Sequence, residues 1–138
     1  MRVLAIDYGR RRCGVAVTDP LKISANPLPV VRTCDLLNFL KDYCSREAVE
    51  RILVGEPRQM NGQPSETMQY ITPFIGRLRK ELPAIPIEMV DERFTSVMAH
   101  RDMITAGFKK SERQRKGLAD EMSATIILTT WLETHAVQ

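Results

Sequence analysis

The sequence predicts an α/β domain, a mixed five-stranded sheet with helices on its faces. Two observations carry this prediction. Runs rich in apolar and β-branched residues, each of strand length, occur at 2–7, 13–18, 27–31, 51–54 and 85–90. After the third run they alternate with longer segments whose apolar residues recur at helical spacing, which points to helices packed on a sheet. No linker-like stretch, internal repeat or low-complexity tract divides the chain, so residues 1–138 are expected to form one domain. A chain of this length buries roughly two-thirds of the surface its unfolded form exposes.

Taken in order, residues 2–7 read as a buried strand and 13–18 as its hairpin partner across a turn at Gly9. Residues 27–31, opening on Pro27, read as an edge-like strand. From Asp35, the residues Leu36, Leu37, Phe39, Leu40, Tyr43 and Cys44 mark a helix, which feeds a central strand at 51–54 ended by Gly55 and Pro57. Residues 58–64, with Asn61-Gly62, form a loop, after which Ser65 is placed to cap a helix running to about Leu82. Pro73 falls inside that helix; it removes a backbone donor and clashes with the preceding turn, so a kink or break is expected there. A strand at 85–90, a helix at 95–105 ended by Gly107, and a final helix at 118–134 complete the chain. In such sheets, sites collect at strand ends.

Cys13, Cys34 and Cys44 are odd in number and lack the paired spacing of a zinc site or disulfide framework, which suits reduced thiols in the cytoplasm. The longest apolar run, around Ile126-Ile127-Leu128, is far below a membrane span, and the N-terminus has no basic segment followed by an apolar one. The expectation is a soluble cytoplasmic protein without membrane contact. The net charge is only +3, but 109–116 contains Lys109, Lys110, Arg113, Arg115 and Lys116 against Glu112 alone, a local +4 that attracts a polyanion. The alternative is a solvated basic loop.

Four acid-bearing segments stand near predicted strand ends or helix starts. Asp7 follows Val3 and Ala5 on one strand face. An ionised carboxylate there is costly without a partner, and a divalent cation is such a partner; the alternative is an acid that caps the turn at Gly9. On the final helix Asp120 shares a face with Ala124, Ile127 and Trp131, whereas Glu121 aligns with Thr125, Thr129 and Glu133. Asp120 therefore points inward, either into a site or simply onto its own helix N-terminus. Asp91 and Glu92 are adjacent, so alternation sends them to opposite faces; pattern alone favours Asp91, which continues the face of Ile87 and Met89. Glu56, beside Pro57, reads equally as a ligand or a solvated loop acid.

Carboxylates that converge repel one another and stay ionised together only with cations bound. Hard oxygen donors select Mg2+ or Mn2+, and two such ions about 4 Å apart serve phosphodiester hydrolysis. Arg10, Arg11 and Arg12, in the turn beside Asp7, are placed to grip phosphates, unless they form a merely solvated turn. His100 and His135 have no metal-ligand partners near them in sequence, and Thr18 and Ser96 have no positioned base.

Together the four segments resemble the YqgF family, the Holliday-junction-resolvase-like proteins of bacteria, whose fold is of the RNase H type. The resemblance spans nearly the whole chain. It rests on the Asp-aromatic-Gly-basic hairpin within 6–19, the Val-Gly-x-Pro element within 54–62, Asp91-Glu92-Arg93-Phe94-Thr95, and the basic stretch leading to Asp120 and its small neighbours. Arg11 stands where the family usually has lysine, Ser123 where it usually has alanine, and Glu56 where an apolar residue is common. The resemblance implies a nuclease that matures the 5′ end of precursor 16S ribosomal RNA, with metal held by Asp7, by Glu92 with Asp91 as its rival, and by Asp120. Arg10, Arg11, Arg12 and Arg93, with the basic residues of 109–116, would hold the nucleic acid.

Three functions compete on these grounds. The first is a metal-dependent nuclease acting on precursor rRNA, and the second a resolvase acting on branched DNA, which requires a symmetric dimer. The third is a non-catalytic RNA-binding factor of ribosome assembly. Both a monomer and a homodimer fit the sequence.

Overall fold

The computed structural model describes residues 1–56, 66–91 and 116–135, without the side chains of 91, 116–122, 134 and 135. Within these, the elements are β1 (Arg2–Asp7), β2 (Arg12–Thr18), β3 (Ala25–Arg32), a 3-10 turn (Thr33–Asp35), α1 (Leu36–Arg46), β4 (Val49–Glu56), α2 (Met68–Glu81), β5 (Ile87–Asp91) and α3 (Lys116–His135). The strands form one mixed sheet in the order β3-β2-β1-β4-β5. β2 is antiparallel to both β1 and β3, while β4 runs parallel to β1 and to β5. The hairpin β1–β2 and the edge position of β3 are as the sequence predicts. The predicted helix at 95–105, its end at Gly107, and the cap at Ser65 lie outside the described residues.

Each face of the sheet carries its own apolar layer. Leu4, Ile6, Val15, Val17, Ile52 and Val54 pack under α1 and α2, which contribute Leu36, Leu40, Ile71, Phe74, Ile75 and Leu78. On the other face Val3, Ala5, Ala16 and Leu53 meet Ala124, Ile127 and Leu128 of α3. Val3, Leu4, Ala5 and Ile6 are all fully buried, which makes β1 a central strand covered on both sides. The alanines at 5, 16 and 124 leave little side chain between sheet and helix, so α3 sits close to the strands it crosses.

α2 is one helix from Met68 to Glu81 with Pro73 inside it, so the helix does not break there. The proline costs the helix one backbone bond, to the Gln69 carbonyl. Ile71, Phe74, Ile75 and Leu78 are buried on both sides of that point, and together they anchor the helix to the sheet. Burial of such side chains contributes roughly 1.5–3 kcal/mol apiece, enough to offset one lost bond.

Among the described residues Thr18 is the polar one that is buried. The β1–β4 register shifts between Arg2 and Val3. The Val3 N–H donates to Thr18 Oγ1 at 2.9 Å, while Arg2 Nη1 donates to the Thr18 carbonyl at 2.9 Å. Its hydroxyl thus completes backbone bonding at the irregularity, a structural role. No helix among the described residues is long and apolar enough to cross a membrane.

Candidate functional site

The three parallel strands end side by side, and each ends on an acid: Asp7 on β1, Glu56 on β4 and Asp91 on β5. Ile6 pairs with Val54, and Glu56 with Asp91, so the three ends are nearly level. Neighbouring strands lie about 4.8 Å apart, which separates the ends of β1 and β5 by roughly 10 Å. The crevice beyond the carboxyl ends of parallel strands is where open α/β sheets place ligands.

Strand alternation assigns these positions to faces. Asp7 is half-buried and follows Val3 and Ala5, which belong to the α3 layer. Glu56 follows Ile52 and Val54 of the α1/α2 layer, so alternation directs it away from Asp7. On β5, Ile87 and Met89 pack with the α1/α2 layer, whereas Val90 packs with α3 and Glu88 accepts a 3.2 Å hydrogen bond from Trp131 of that helix. The face shared by Ile87 and Met89 is therefore not the face of Asp7.

α3 lies across the sheet face opposite α1 and α2, chiefly over β1, β2 and β3. Its Trp131 bonds Glu88 near the start of β5 and lies against the Arg51 guanidinium, 5.7 Å from the ring centroid, near the start of β4. Arg51 also donates to Glu88 at 3.0 Å. Ala124 and Ile127, the companions predicted for Asp120, are fully buried against the sheet, while Glu133, predicted to align with Glu121, is exposed.

Among the described residues, no group of three His, Cys, Asp or Glu side chains gathers as a metal cluster. Glu92, Arg93, Lys109, Lys110, Arg113 and Arg115 lie outside the described residues, as do the side chains of Asp91, Lys116 and Asp120.

The arginine turn follows Asp7 directly. Gly9 is required there, because a Cβ would run into the Arg12 carbonyl oxygen. Thr33 Oγ1 donates to the Gly9 carbonyl at 2.7 Å, and the Thr33 N–H donates to the Arg11 carbonyl at 2.9 Å. Arg10 lies over the Tyr70 ring at 4.8 Å and donates to its hydroxyl at 3.1 Å. These residues, with Arg11, Arg12 and Thr67, surround a cavity of about 770 Å³. Burial, with the nearby Cys13, pushes the Tyr8 hydroxyl pKa up, and Arg77 acts in the opposite sense. Tyr8 is thereby a neutral hydrogen-bonding group, its ring 5.1 Å from that of Phe74.

Sequence reasoning missed Tyr70, Arg32 and Arg77. Arg32 pairs across the sheet with Arg12, and Arg77 shares a second cavity with Tyr8, Arg10 and Arg11. Each is isolated in the sequence, and only the topology brings them to the turn.

Comparison with known proteins gives a consistent picture. The RuvX family, described as Holliday junction resolvase, matches residues 1–134. A protein of Phocaeicola vulgatus named "Putative pre-16S rRNA nuclease" is 59% identical over 133 residues, covering 96% of each chain. One of the same name from Bacteroides thetaiotaomicron is 56% identical over 133 residues, again 96% of each. Among solved structures, T. thermophilus RuvC in complex with Holliday junction substrate superposes with a TM-score of 0.60 at 17% identity, covering 97% of this chain and 96% of that one. The fold is RNase H-like, as RuvC's is.

Proposed function

This chain belongs to the RuvX family and is a nuclease, and from that premise we propose that it matures the 5′ end of precursor 16S ribosomal RNA in the cytoplasm. The observation that carries the proposal is the juxtaposition at the carboxyl end of β1. There a half-buried Asp7 is followed directly by an arginine turn, at the end of the central strand, one face of which α3 covers. The names of relatives more than half identical over nearly the whole chain favour precursor rRNA as the substrate.

RNase H-like nucleases of the RuvC type generally depend on divalent metal. In our reading Asp7, Glu92 and Asp120 would hold two Mg2+ or Mn2+ ions. The bound ions would activate a water and stabilise the leaving oxygen. Oxygen donors from three carboxylates suit such hard cations, and Asp7, half-buried at a strand end, is the kind of acid whose charge a cation stabilises. The even positions of β5, Glu88 and Val90, face α3 as Asp7 does, and Glu92 continues that series. This parity favours Glu92 over Asp91, and alternation leaves Glu56 out of the set. The chain's own work is to position the strand: Arg10, Arg11 and Arg12 bind the phosphates beside the scissile bond, in a turn that needs no rearrangement. Arg93 and the basic stretch Lys109, Lys110, Arg113, Arg115 and Lys116 extend this grip.

The test is cleavage of a 5′-extended precursor 16S RNA and of a four-way DNA junction, side by side, in manganese or EDTA, by wild type, Asp7→Asn and Asp120→Asn. The expected result is metal-dependent cutting of the RNA that both variants lose while still binding it. Preferential cutting of the junction would replace the RNA reading with a resolvase. Full activity of Asp7→Asn would remove the metal site, and RNA binding with no cutting by wild type would leave a binding factor.

A further inference from the structure

We propose that the groove between the arginine turn and helices α1 and α2 is a second nucleic-acid subsite, which holds a single-stranded flank of the substrate by its phosphates. The groove encloses about 670 Å³, and Arg10, Arg11, Arg32 and Arg77 line it together with Tyr8 and Phe74. It lies on the α1/α2 side of the turn, whereas Asp7 belongs to the α3 face. The proposal rests on the nuclease reading only for the identity of the strand that enters.

Charge is the first argument. Among the described residues no acid lines the groove, and none of its four arginines forms an ion pair. Elsewhere Arg2, Arg46 and Arg51 are each matched by a carboxylate. Arg12 and Arg32 are direct cross-strand partners, and like charges so placed repel. Both side chains are exposed, so water and salt weaken that repulsion, and a bound polyanion offsets what remains.

Rigidity is the second. The two Thr33 hydrogen bonds tie the backbone of the turn to the end of β3, so the points from which Arg10, Arg11 and Arg32 leave the chain are fixed relative to one another. Arg77 comes from the middle of α2, whose neighbouring Phe74 and Leu78 are buried. A site whose backbone is already in place spends no further order on the chain itself when a strand binds.

The aromatic groups favour a single strand. The Arg10 guanidinium and the Tyr70 ring form a platform beside the groove, and Tyr70 keeps 38% of its surface exposed. Unpaired bases stack on aromatic rings and on guanidinium planes, whereas a duplex keeps its base faces to itself.

The experiment uses the double variant Arg32→Ala/Arg77→Ala, which leaves every proposed metal ligand and the arginine turn intact. Fluorescence anisotropy in EDTA follows binding of a labelled single-stranded RNA 12-mer, the same sequence as DNA, and an RNA duplex of equal length, across a salt series. Both single strands are expected to bind about tenfold more weakly, with the salt slope flatter by about 1.4 for two lost contacts. Duplex affinity is expected to stay unchanged. Arg32→Lys/Arg77→Lys should restore the slope, and it keeps the test decisive should the alanine variant melt early. Unchanged single-strand affinity, or an equal loss on the duplex, overturns the subsite. Cleavage by wild type is scored separately. If wild type cuts nothing while the variant loses single strands, the nuclease reading fails and the groove stands; if wild type cuts RNA and the variant binds as before, the groove alone fails.

Discussion

Thr33 and Gly9 are joined by a 2.7 Å hydrogen bond from the threonine hydroxyl to the glycine carbonyl, across 24 residues of sequence. Cys13 Sγ lies 3.7 Å from the same carbonyl and 3.4 Å from the same hydroxyl. This contact fixes the turn that carries Arg10 and Arg11. Replacement of Thr33 by Val keeps the shape and the backbone bond to Arg11 but removes the hydroxyl. The expected cost is about 1 kcal/mol of stability, read from the urea midpoint, together with weaker RNA binding. Unchanged binding would separate the latch from function.

Gly9 tolerates no side chain, since the Arg12 carbonyl occupies the space. Gly9→Ala must open the turn. The expected outcome is a loss of about 1–3 kcal/mol and of cleavage, even in excess manganese. A fully active Gly9→Ala enzyme would show that the turn's shape is irrelevant to chemistry.

The second metal-site acid is decided by a pair of variants. Glu92→Gln is expected to abolish cleavage while the protein still folds and binds RNA, whereas Asp91→Asn is expected to retain most activity. The reverse pattern would assign the role to Asp91.

Ala124 is fully buried where α3 meets the sheet, four residues after Asp120. Ala124→Leu inserts three carbons into that contact and is expected to cost about 1–3 kcal/mol. It should also lower the cleavage rate, because the helix start moves with it. Thermal melts and single-turnover cleavage measure the two effects. A destabilised but fully active variant would detach α3 from the active site.

Asp19 carries the clearest pH dependence. Its carboxylate accepts from the backbone of Ser24 at 2.8 Å, of Ile23 at 2.7 Å and of Leu21 at 3.2 Å, and these bonds hold its pKa below the ordinary 3.8. A folded pKa below the unfolded one means that the stabilisation is complete above about pH 4 and fades as pH falls through the lower, folded value. Asp19→Asn should therefore be less stable than wild type at neutral pH, and the gap should close on acidification. A gap that is constant with pH would exclude the carboxylate as its source.

Much of the fold was legible because the apolar runs are long enough to reveal their period. Residues 2–7, with Val3 to Ile6 buried on both faces, are an example. The inward face of the last helix followed from spacing alone, since Ala124 and Ile127 are indeed covered by the sheet. The break expected at Pro73 did not occur because local propensity omits the tertiary anchoring that keeps α2 helical through it. On β5 the alternation was read correctly, but only the three-dimensional layers reveal that Ile87 and Met89 face away from Asp7's side. Arg32 and Arg77 could not be read as one group, because a strand end and a mid-helix position meet only through the crossover from β3 to α2. Their sequence neighbours carry no periodic sign of that meeting.

Pro27 and Pro29 sit in β3, the outermost strand beside β2, where the pairing also shifts register. Each proline withholds one N–H, and the irregular register spoils the even spacing that a foreign strand would need to zip alongside. The sheet therefore resists growth from that side. A nuclease can hold an arginine-rich turn next to this border, and gather long polyanions there, without its own copies fusing edge to edge when crowded on a shared nucleic acid.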